Sequence, residues 1–177
     1  VEDSAKSGDA DAKMELAGRA GYRAIVLSSV WAPPLTAPAA TELAALRAAV
    51  DSASAAGIRP IVAIYSFSSV TPTSAAARSQ FASYAAALVR ALPDVRDVII
   101  GNEPNLNLFW MPQFAPDGSD AAAVSYLALL AESYDTLKAV SKDVNVIGGS
   151  LSARGSDDPA AARRQKRSVD TSTPATP

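Results

Sequence analysis

This chain of 177 residues contains no cysteine and no histidine. Without cysteine it has no thiolate nucleophile, no disulfide and no cysteine-based zinc site. Without histidine it cannot form a Ser-His-Asp triad, so acid–base chemistry falls to carboxylates, tyrosines or lysines. The lack of cysteine leaves the redox compartment open, because secreted and cytosolic proteins can both do without it. We expect no metal and no cofactor.

The chain also has little net charge and no long hydrophobic run. Its 16 lysines and arginines nearly balance 18 aspartates and glutamates, which gives a net charge of −2 and a pI near 5.1. Such a surface lacks the basic footprint of nucleic-acid-binding proteins. No apolar stretch is long enough for a membrane span, and no basic leader is present. We therefore expect a globular domain without nucleic-acid or membrane partners.

Four apolar runs rich in β-branched residues predict buried parallel strands. They cover residues 22–30, 58–67, 95–100 and 144–147. Between them lie alanine-rich segments whose larger apolar residues recur at helical spacing, such as Leu43, Leu46 and Val50. Gly21 and Gly57 fall where the first two helices should end. This alternation predicts an α/β fold with βα units in a parallel sheet.

The most informative stretch is residues 97–105, Asp-Val-Ile-Ile-Gly-Asn-Glu-Pro-Asn. Proline disfavours the α region for the residue before it, so we expect the strand to continue in extended form through Glu103. Charged residues are seldom placed directly behind an apolar strand without a function. The alternative is that Glu103 caps the following loop and helix. Parallel strands collect chemistry at their carboxyl ends, so this stretch predicts a reactive acid there.

The segment Ile100-Gly101-Asn102-Glu103-Pro104-Asn105 resembles the fourth-strand motif of retaining glycoside hydrolases built on a (β/α)8 barrel, the cellulase-like and xylosidase-like enzymes. The resemblance covers residues 1–159 if residues 1–3 end a clipped first strand. It implies a partial TIM barrel of about the first five βα units with an open parallel sheet. It also implies that Glu103 is the general acid/base and that Asn102 hydrogen-bonds the sugar hydroxyl beside the scissile bond.

The same resemblance implies a β-linked oligo- or polysaccharide substrate, and secretion of the full-length family member. Residues 160–177, first basic and then rich in Ser, Thr and Pro, are expected to form a disordered tail. Open sheet edges favour pairing with another chain, so self-association is a further expectation.

Aromatic side chains near the strand ends give a second carbohydrate signal, because a flat ring matches the apolar face of a pyranose. Trp31, Tyr65 and Trp110 are predicted to bind substrate in this way, and Phe109 falls in the same group. Packing in the loops is the alternative for both tryptophans. Asn105, which follows the motif, is predicted to contact substrate as well.

The chain departs from the family in its second carboxylate. A retaining glycosidase needs a nucleophile about 5 Å from the acid, and the family supplies a glutamate on its seventh strand. Here Glu15, Glu42 and Glu132 fall within predicted helices and are expected on solvated faces, while Asp157 and Asp158 fall in a predicted turn. We therefore expect that this chain alone is inactive.

Two other functions remain open. The chain could be a non-catalytic carbohydrate-binding or interaction module derived from such a barrel. It could also be an unrelated α/β enzyme that uses Glu103 as a base, although Gly148-Gly149 lacks the glycine spacing of a nucleotide site.

Overall fold

A computed structural model describes residues 9–155. Helices and strands alternate along this part of the chain, as the sequence predicts. The helices are α1 (Ala10–Arg19), α2 (Ala40–Ala55), α3 (Ala75–Ala91) and α4 (Ala121–Val140). The strands are β1 (Ala24–Val30), β2 (Arg59–Tyr65), β3 (Asp97–Ile100) and β4 (Asn145–Gly148), and a 3-10 turn (Ser68–Val70) follows β2. The predicted strand remnant at residues 1–3, the aspartates at 157 and 158 and the predicted tail at 160–177 lie outside the described residues.

The strands form one parallel sheet in the order β1-β2-β3-β4. Each strand therefore pairs with the next one along the chain, which is the connectivity of a barrel wall and confirms the predicted open α/β sheet. One row of the ladder runs through Val26, Ile61, Asp97 and Asn145. Within residues 9–155 the outer edges of β1 and β4 have no strand partner.

The first two strands begin one or two residues later than predicted because the preceding helices need those residues to end. Gly21 and Gly57 adopt φ values of 90° and 70°. The amides of Tyr22 and Ile58 then bond back to the carbonyls of Ala17 and Ala53, at 3.0 and 2.8 Å. A left-handed glycine followed by such a bond is a common way to close a helix. The ladder can start only after this turn.

The helices cover one face of the sheet, and the core lies between them. Leu27, Val62 and Ile100 are fully buried from the strand side, and Leu46 and Phe81 from the helix side. Successive side chains of a strand point to opposite faces. The other face is open, so β1 and β4 are not buried on both faces as predicted, and Val26, Val30 and Ile147 are exposed there. None of the helices in residues 9–155 combines the length and apolar character needed to cross a bilayer.

A polar network at the end of β1 links the sheet to two helices. Ser29 donates to Glu42 of α2 at 2.8 Å and lies 2.8 Å from the hydroxyl of Tyr84 of α3, which donates to Glu42 at 3.2 Å. The prediction that Glu42 lies on a solvated face is wrong, because the carboxylate accepts both bonds. Burial and the nearby Glu42 carboxylate raise the pKa of Tyr84 to about 12, against the opposing bond from Ser29.

We expect the free energy of unfolding to fall by about 2 kcal/mol between pH 9 and 11.5 because of Tyr84. Its folded pKa lies above its unfolded value of about 10, so the unfolded state loses this proton first. The contribution is complete below pH 10 and disappears as the pH passes about 12. Urea unfolding of Tyr84→Phe should show a smaller alkaline loss than the parent, whereas the exposed control Tyr22→Phe should not. An equal loss in Tyr84→Phe and the parent would contradict this assignment.

Candidate functional site

The predicted catalytic motif lies where β3 leaves the sheet. The ladder ends at Ile100, and the amide of Gly101 makes a last bond to Ile64 of β2 at 2.7 Å. Gly101 then adopts a φ of 80° and Glu103 a φ of 37°. The prediction that the strand continues in extended form through Glu103 is therefore wrong. The carbonyl of Glu103 instead accepts from the amide of Leu106 at 2.8 Å, so a tight turn determines its backbone despite the following proline.

Among the described residues that are not glycine, only Glu103 has a left-handed backbone conformation. Such a conformation costs about 1–2 kcal/mol in an L-residue and persists only where the surroundings impose it. Strain of this kind is often found at functional sites. Asn102 and Glu103 are half-buried at the carboxyl edge of the sheet, on a strand with neighbours on both sides. Their catalytic roles remain predictions.

Tyr126 of α4 holds the ends of β3 and β4 together. Its hydroxyl donates to the carbonyl of Ile100 at 2.7 Å and accepts from the amide of Gly149. Burial raises the pKa of the Tyr126 phenol, while the bond from Gly149 acts in the opposite direction. The phenol therefore keeps its proton and remains a donor at neutral pH. The motif therefore begins at a strand end that the hydrogen bonds of Tyr126 hold in place.

Asn105 joins two loops of the structure, and its predicted contact with substrate remains a prediction. Its side-chain amide donates to the carbonyl of Ser152 at 2.7 Å, and its oxygen accepts from the amide of Ser152 at 2.9 Å. This pair of bonds ties the loop after β3 to the loop after β4. Within the loop after β3, the buried side chain of Gln113 donates to the carbonyls of Pro104 and Trp110 at 2.9 and 2.8 Å. Sequence reasoning missed Gln113, and no local signal distinguishes it from other loop glutamines.

The two tryptophans belong to the core, so their predicted role in substrate stacking is wrong. Trp31 is 0 % exposed, its ring meets Phe81 of α3 edge-on at 5.4 Å, and its indole N–H donates to the carbonyl of Leu35. Strand alternation explains this, because Val30 faces the open side and the next residue faces the helices. Trp110 is 2 % exposed and donates to Ser125 at 2.9 Å. Neither offers a ring face to a ligand.

A different aromatic group stands at the carboxyl end of β2. Tyr65 meets the rings of Phe67 and Phe109 edge-on at 6.0 and 5.7 Å, and those two rings stack at 5.8 Å with an interplanar angle of 21°. Tyr65 and Phe109 are half-buried, whereas Phe67 is 43 % exposed. The structure thus places Tyr65 in a surface cluster, with Phe67 as the member that the sequence prediction missed. The signal was present, since Phe67 follows the strand by two residues.

Most other carboxylates in residues 9–155 form hydrogen bonds or ion pairs with neighbouring residues. Those with a hydrogen bond or ion pair are Asp11, Glu15, Glu42, Asp97, Asp117, Asp120, Glu132 and Asp143. Only Asp117 and Asp120 of these lie in the loop after β3. Asp120 caps α4, and Asp117 accepts from Ser119, which lowers the pKa of that exposed carboxyl. No three acidic, histidine or cysteine side chains of this part of the chain cluster as metal ligands would.

A cavity of about 290 Å³ adjoins the motif on its β4 side. Pro104, Asn105, Gln113 and Tyr126 are among the residues that line it, and Glu103 is not. The cavity therefore lies between the loop after β3 and the first turns of α4, whereas the aromatic cluster lies at the carboxyl end of β2.

No protein-family model and no curated protein sequence matches this chain. Solved structures do match. β-Glycosidase BGL167 superposes with a TM-score of 0.66 at 18% identity, over 92% of this chain and 50% of its own. A broad-specificity endoglucanase from Clostridium longisporum gives 0.64 at 16% identity, over 83% and 45%. The virulence factor SghA, solved with the substrate analogue salicin, gives 0.61 at 20% identity, over 88% and 40%.

This chain thus spans half or less of the length of these proteins. At 16–20% identity the match concerns the fold, and the sequential parallel sheet is the part of that fold that is present. The described part of the chain has the fold of part of a (β/α)8 barrel, with four consecutive parallel strands and the helices between them.

Proposed function

We propose that this chain forms the acid/base half of a retaining glycoside hydrolase that acts on β-linked oligo- or polysaccharides. Glu103 would protonate the oxygen of the leaving group as the glycosidic C–O bond breaks. The second carboxylate would attack the anomeric carbon to form a glycosyl ester, and water activated by Glu103 would then release the sugar. Asn102 would hold the neighbouring sugar hydroxyl. The nucleophile would come from a segment beyond residues 9–155.

The position of the Asn102–Glu103 pair carries the proposal. It lies at the carboxyl end of an internal parallel strand in part of a glycosidase barrel, the edge where such barrels bind ligands. The left-handed backbone of Glu103 and the bracing of β3 by Tyr126 are consistent with a held catalytic group. A glutamate serving only as a helix cap needs neither feature, and Asp120 already caps α4.

A carbohydrate-binding module without catalysis is the second candidate. The stacked rings of Phe67 and Phe109 favour it, because an aromatic surface can bind a glycoside whether or not a nucleophile is present. The two candidates share the site and differ in whether Glu103 transfers a proton.

Binding of β-linked saccharides by the chain itself tests what both candidates share. In an NMR titration we expect cellotetraose or xylotetraose to shift the amide signals of Asn102 and Glu103 with a dissociation constant in the millimolar range, about −4 kcal/mol. The α-linked control maltotetraose should leave them unchanged. Equal shifts with all three sugars, or none with any, would refute the site.

The outer edges of β1 and β4, which have no strand partner within residues 9–155, also favour self-association of the purified chain. Sedimentation velocity should show species larger than a monomer whose share grows with protein concentration. A monomer that persists over a hundredfold range of concentration would contradict this expectation.

A further inference from the structure

We propose that two copies of this chain associate through the open faces of their sheets and close into one eight-stranded barrel. The open face, here the inner face, is the side of the sheet opposite the helices. Its apolar members include Val26, Val30, Ile61, Ile99 and Ile147. Closure depends on the fold and is independent of any catalytic role of Glu103.

The number and direction of the strands favour a second copy of the same chain. Four sequential parallel strands are half of the eight that close a (β/α)8 barrel. A two-fold rotation about the barrel axis would place β1 of one copy beside β4 of the other, with all strands pointing the same way. Both outer edges would then be paired. Edge pairing alone leaves the number of copies open, whereas closure fixes it at two.

The ladder is staggered in the manner of a barrel wall. β2 begins opposite the first residue of β1, since Arg59 pairs with Ala24. β3 begins further along, because Asp97 pairs with Ile61, the third residue of β2. A sheet can close into a barrel only if its strands tilt and the register shifts along them. The sheet of one copy therefore already has the shift that closure requires.

The inner face is apolar and incompletely covered. Val26, Val30 and Ile147 are exposed, and Ile61 and Ile99 are half-buried. Obligate dimer interfaces resemble a protein core cut in half, and this face has that composition. Strands of this chain begin at residues 24, 59, 97 and 145, so residues 1–8 and 156–177 are each shorter than one helix-strand unit. These two segments are too short to form the opposite wall of a barrel.

The charges on the inner face are balanced within one copy. The four strands contain two charged residues, Arg59 and Asp97, which form an ion pair at 3.4 Å. Asn145 donates to the Asp97 carboxylate at 3.0 Å. Strand alternation places all three on the same side of the sheet as Ile61. Two inner faces can therefore meet without burying an unpaired charge.

The two end helices offer further apolar surface to the same partner. Glu132 of α4 pairs with α3 at 3.3 Å, and Leu127, five residues earlier, lies about 140° round the helix from it. Asp11 of α1 accepts a hydrogen bond from α2, and Leu16 is again five residues away. Leu127 is 65 % and Leu16 60 % exposed. Closure brings α1 of one copy beside α4 of the other, where both leucines can be buried.

The combined surface is of the size that a stable dimer needs. Four strands spaced about 4.8 Å apart, with a rise of about 3.3 Å per residue, give each copy an inner face of roughly 350 Å². The two inner faces and the flanks of the four end helices together bury on the order of 1,200 Å², where stable interfaces begin.

Closure leaves the proposed catalytic site without its nucleophile. If β3 corresponds to the fourth strand of the family, the seventh position of the ring is taken by β2 of the second copy, which ends in Tyr65. Glu103 of the second copy lies one strand further, at the opposite point of the ring. The dimer therefore has no carboxylate at the end of its seventh strand, and turnover is still expected to be absent.

Sedimentation velocity of the full chain tests the number of copies. We expect a monomer–dimer equilibrium without larger species, because a closed ring has no free edge. Val26→Asp and, separately, Ile147→Asp should weaken dimerisation more than about tenfold, since each introduces an unpaired charge into the barrel. Ala44→Asp, which adds the same charge to the exposed surface of α2, should leave it unchanged. Circular dichroism and thermal unfolding confirm that each variant is folded.

A spin label distinguishes closure from pairing of two like edges and needs no disruptive substitution. The chain has no cysteine, so Ala12→Cys carries a single label on the exposed surface of α1. In the closed barrel the two labels lie on opposite sides of the ring of helices, about 35 Å apart. Pairing of two β1 edges would instead make the two α1 helices neighbours, about 10 Å apart. Pairing of two β4 edges would separate the labels by more than about 50 Å.

Every other outcome contradicts closure. A chain that stays monomeric over a hundredfold range of concentration would overturn it, and so would oligomers that grow beyond two copies. A dimer with labels near 10 Å or beyond 50 Å would show edge pairing in place of closure. A dimer that both aspartate variants leave intact would place the interface elsewhere. None of these results bears on the role of Glu103, which saccharide binding tests separately.

Discussion

This chain alone will give no measurable turnover of aryl β-glycosides. The retaining mechanism needs a second carboxylate about 5 Å from the acid. Of the partnered carboxylates in residues 9–155, only Asp117 and Asp120 lie in the loop between β3 and α4, and each accepts a hydrogen bond from a nearby backbone amide. General acid catalysis by itself contributes only about 10² to 10⁴ in rate, whereas enzymes typically reach at least about 10⁶. Release of p-nitrophenol from its β-glucoside and β-xyloside, followed for a day at high protein concentration, measures the expected absence.

A hybrid that completes the barrel shows whether Glu103 can act when a nucleophile is supplied. Residues 1–155 would be joined to the C-terminal half of β-glycosidase BGL167, of which this chain matches 50%. We expect turnover to appear and then to fall about 10² to 10⁴ fold in Glu103→Gln. Glu15→Gln, which removes an exposed carboxylate from α1, should leave it unchanged.

Two results would contradict this account. Turnover by the short chain that disappears in Glu103→Gln would show that a nucleophile is already present within it. A folded hybrid without activity would count against the hydrolase proposal and favour the binding module.

Gly101→Ala will lower the free energy of unfolding by about 2–4 kcal/mol, through two separate costs. The first is the backbone, because φ is 80° and an L-residue is strained there. The second is a clash, since the new Cβ would lie 2.9 Å from Cε2 of Tyr126. Tyr126 cannot move away without losing its bonds to Ile100 and Gly149. Urea unfolding measures the loss.

Gly118→Ala is the matched control for this substitution. Gly118 has a φ of 90° and nothing within 4 Å of an added Cβ, so it carries the backbone cost without the clash. We expect it to lose only about 1–2 kcal/mol. An equal loss of unfolding free energy at both glycines would mean that the Tyr126 ring can move away at little cost. Tyr126 would then not hold the end of β3 in place. Chemical shifts of the Glu103 amide should also move in Gly101→Ala and stay unchanged in Gly118→Ala.

The amino-acid sequence by itself determined the order of elements and the parallel sheet. Apolar runs, helical spacing and helix-ending glycines are local signals, and Gly21 and Gly57 do adopt the left-handed backbone that this role requires. The motif at Asn102 and Glu103 could also be recognised from the sequence, because its residue types and its position after an apolar strand are local features. The solved structures that match this chain are glycosidases, the class of protein that the motif indicated.

Only the tertiary structure decided which side chains are available to a ligand. Trp31 was expected on a binding surface but lies in the core, since the side of the sheet that a residue faces depends on the register and on where the helices pack. Asn105 is engaged by Ser152, a residue 47 positions away, and Glu42 by Tyr84, 42 positions away. Glu103 left the extended conformation because the Leu106 turn outweighed the preference set by its neighbouring proline. Local propensity fixes the elements, whereas exposure and hydrogen-bond partners depend on contacts that form only when distant segments meet.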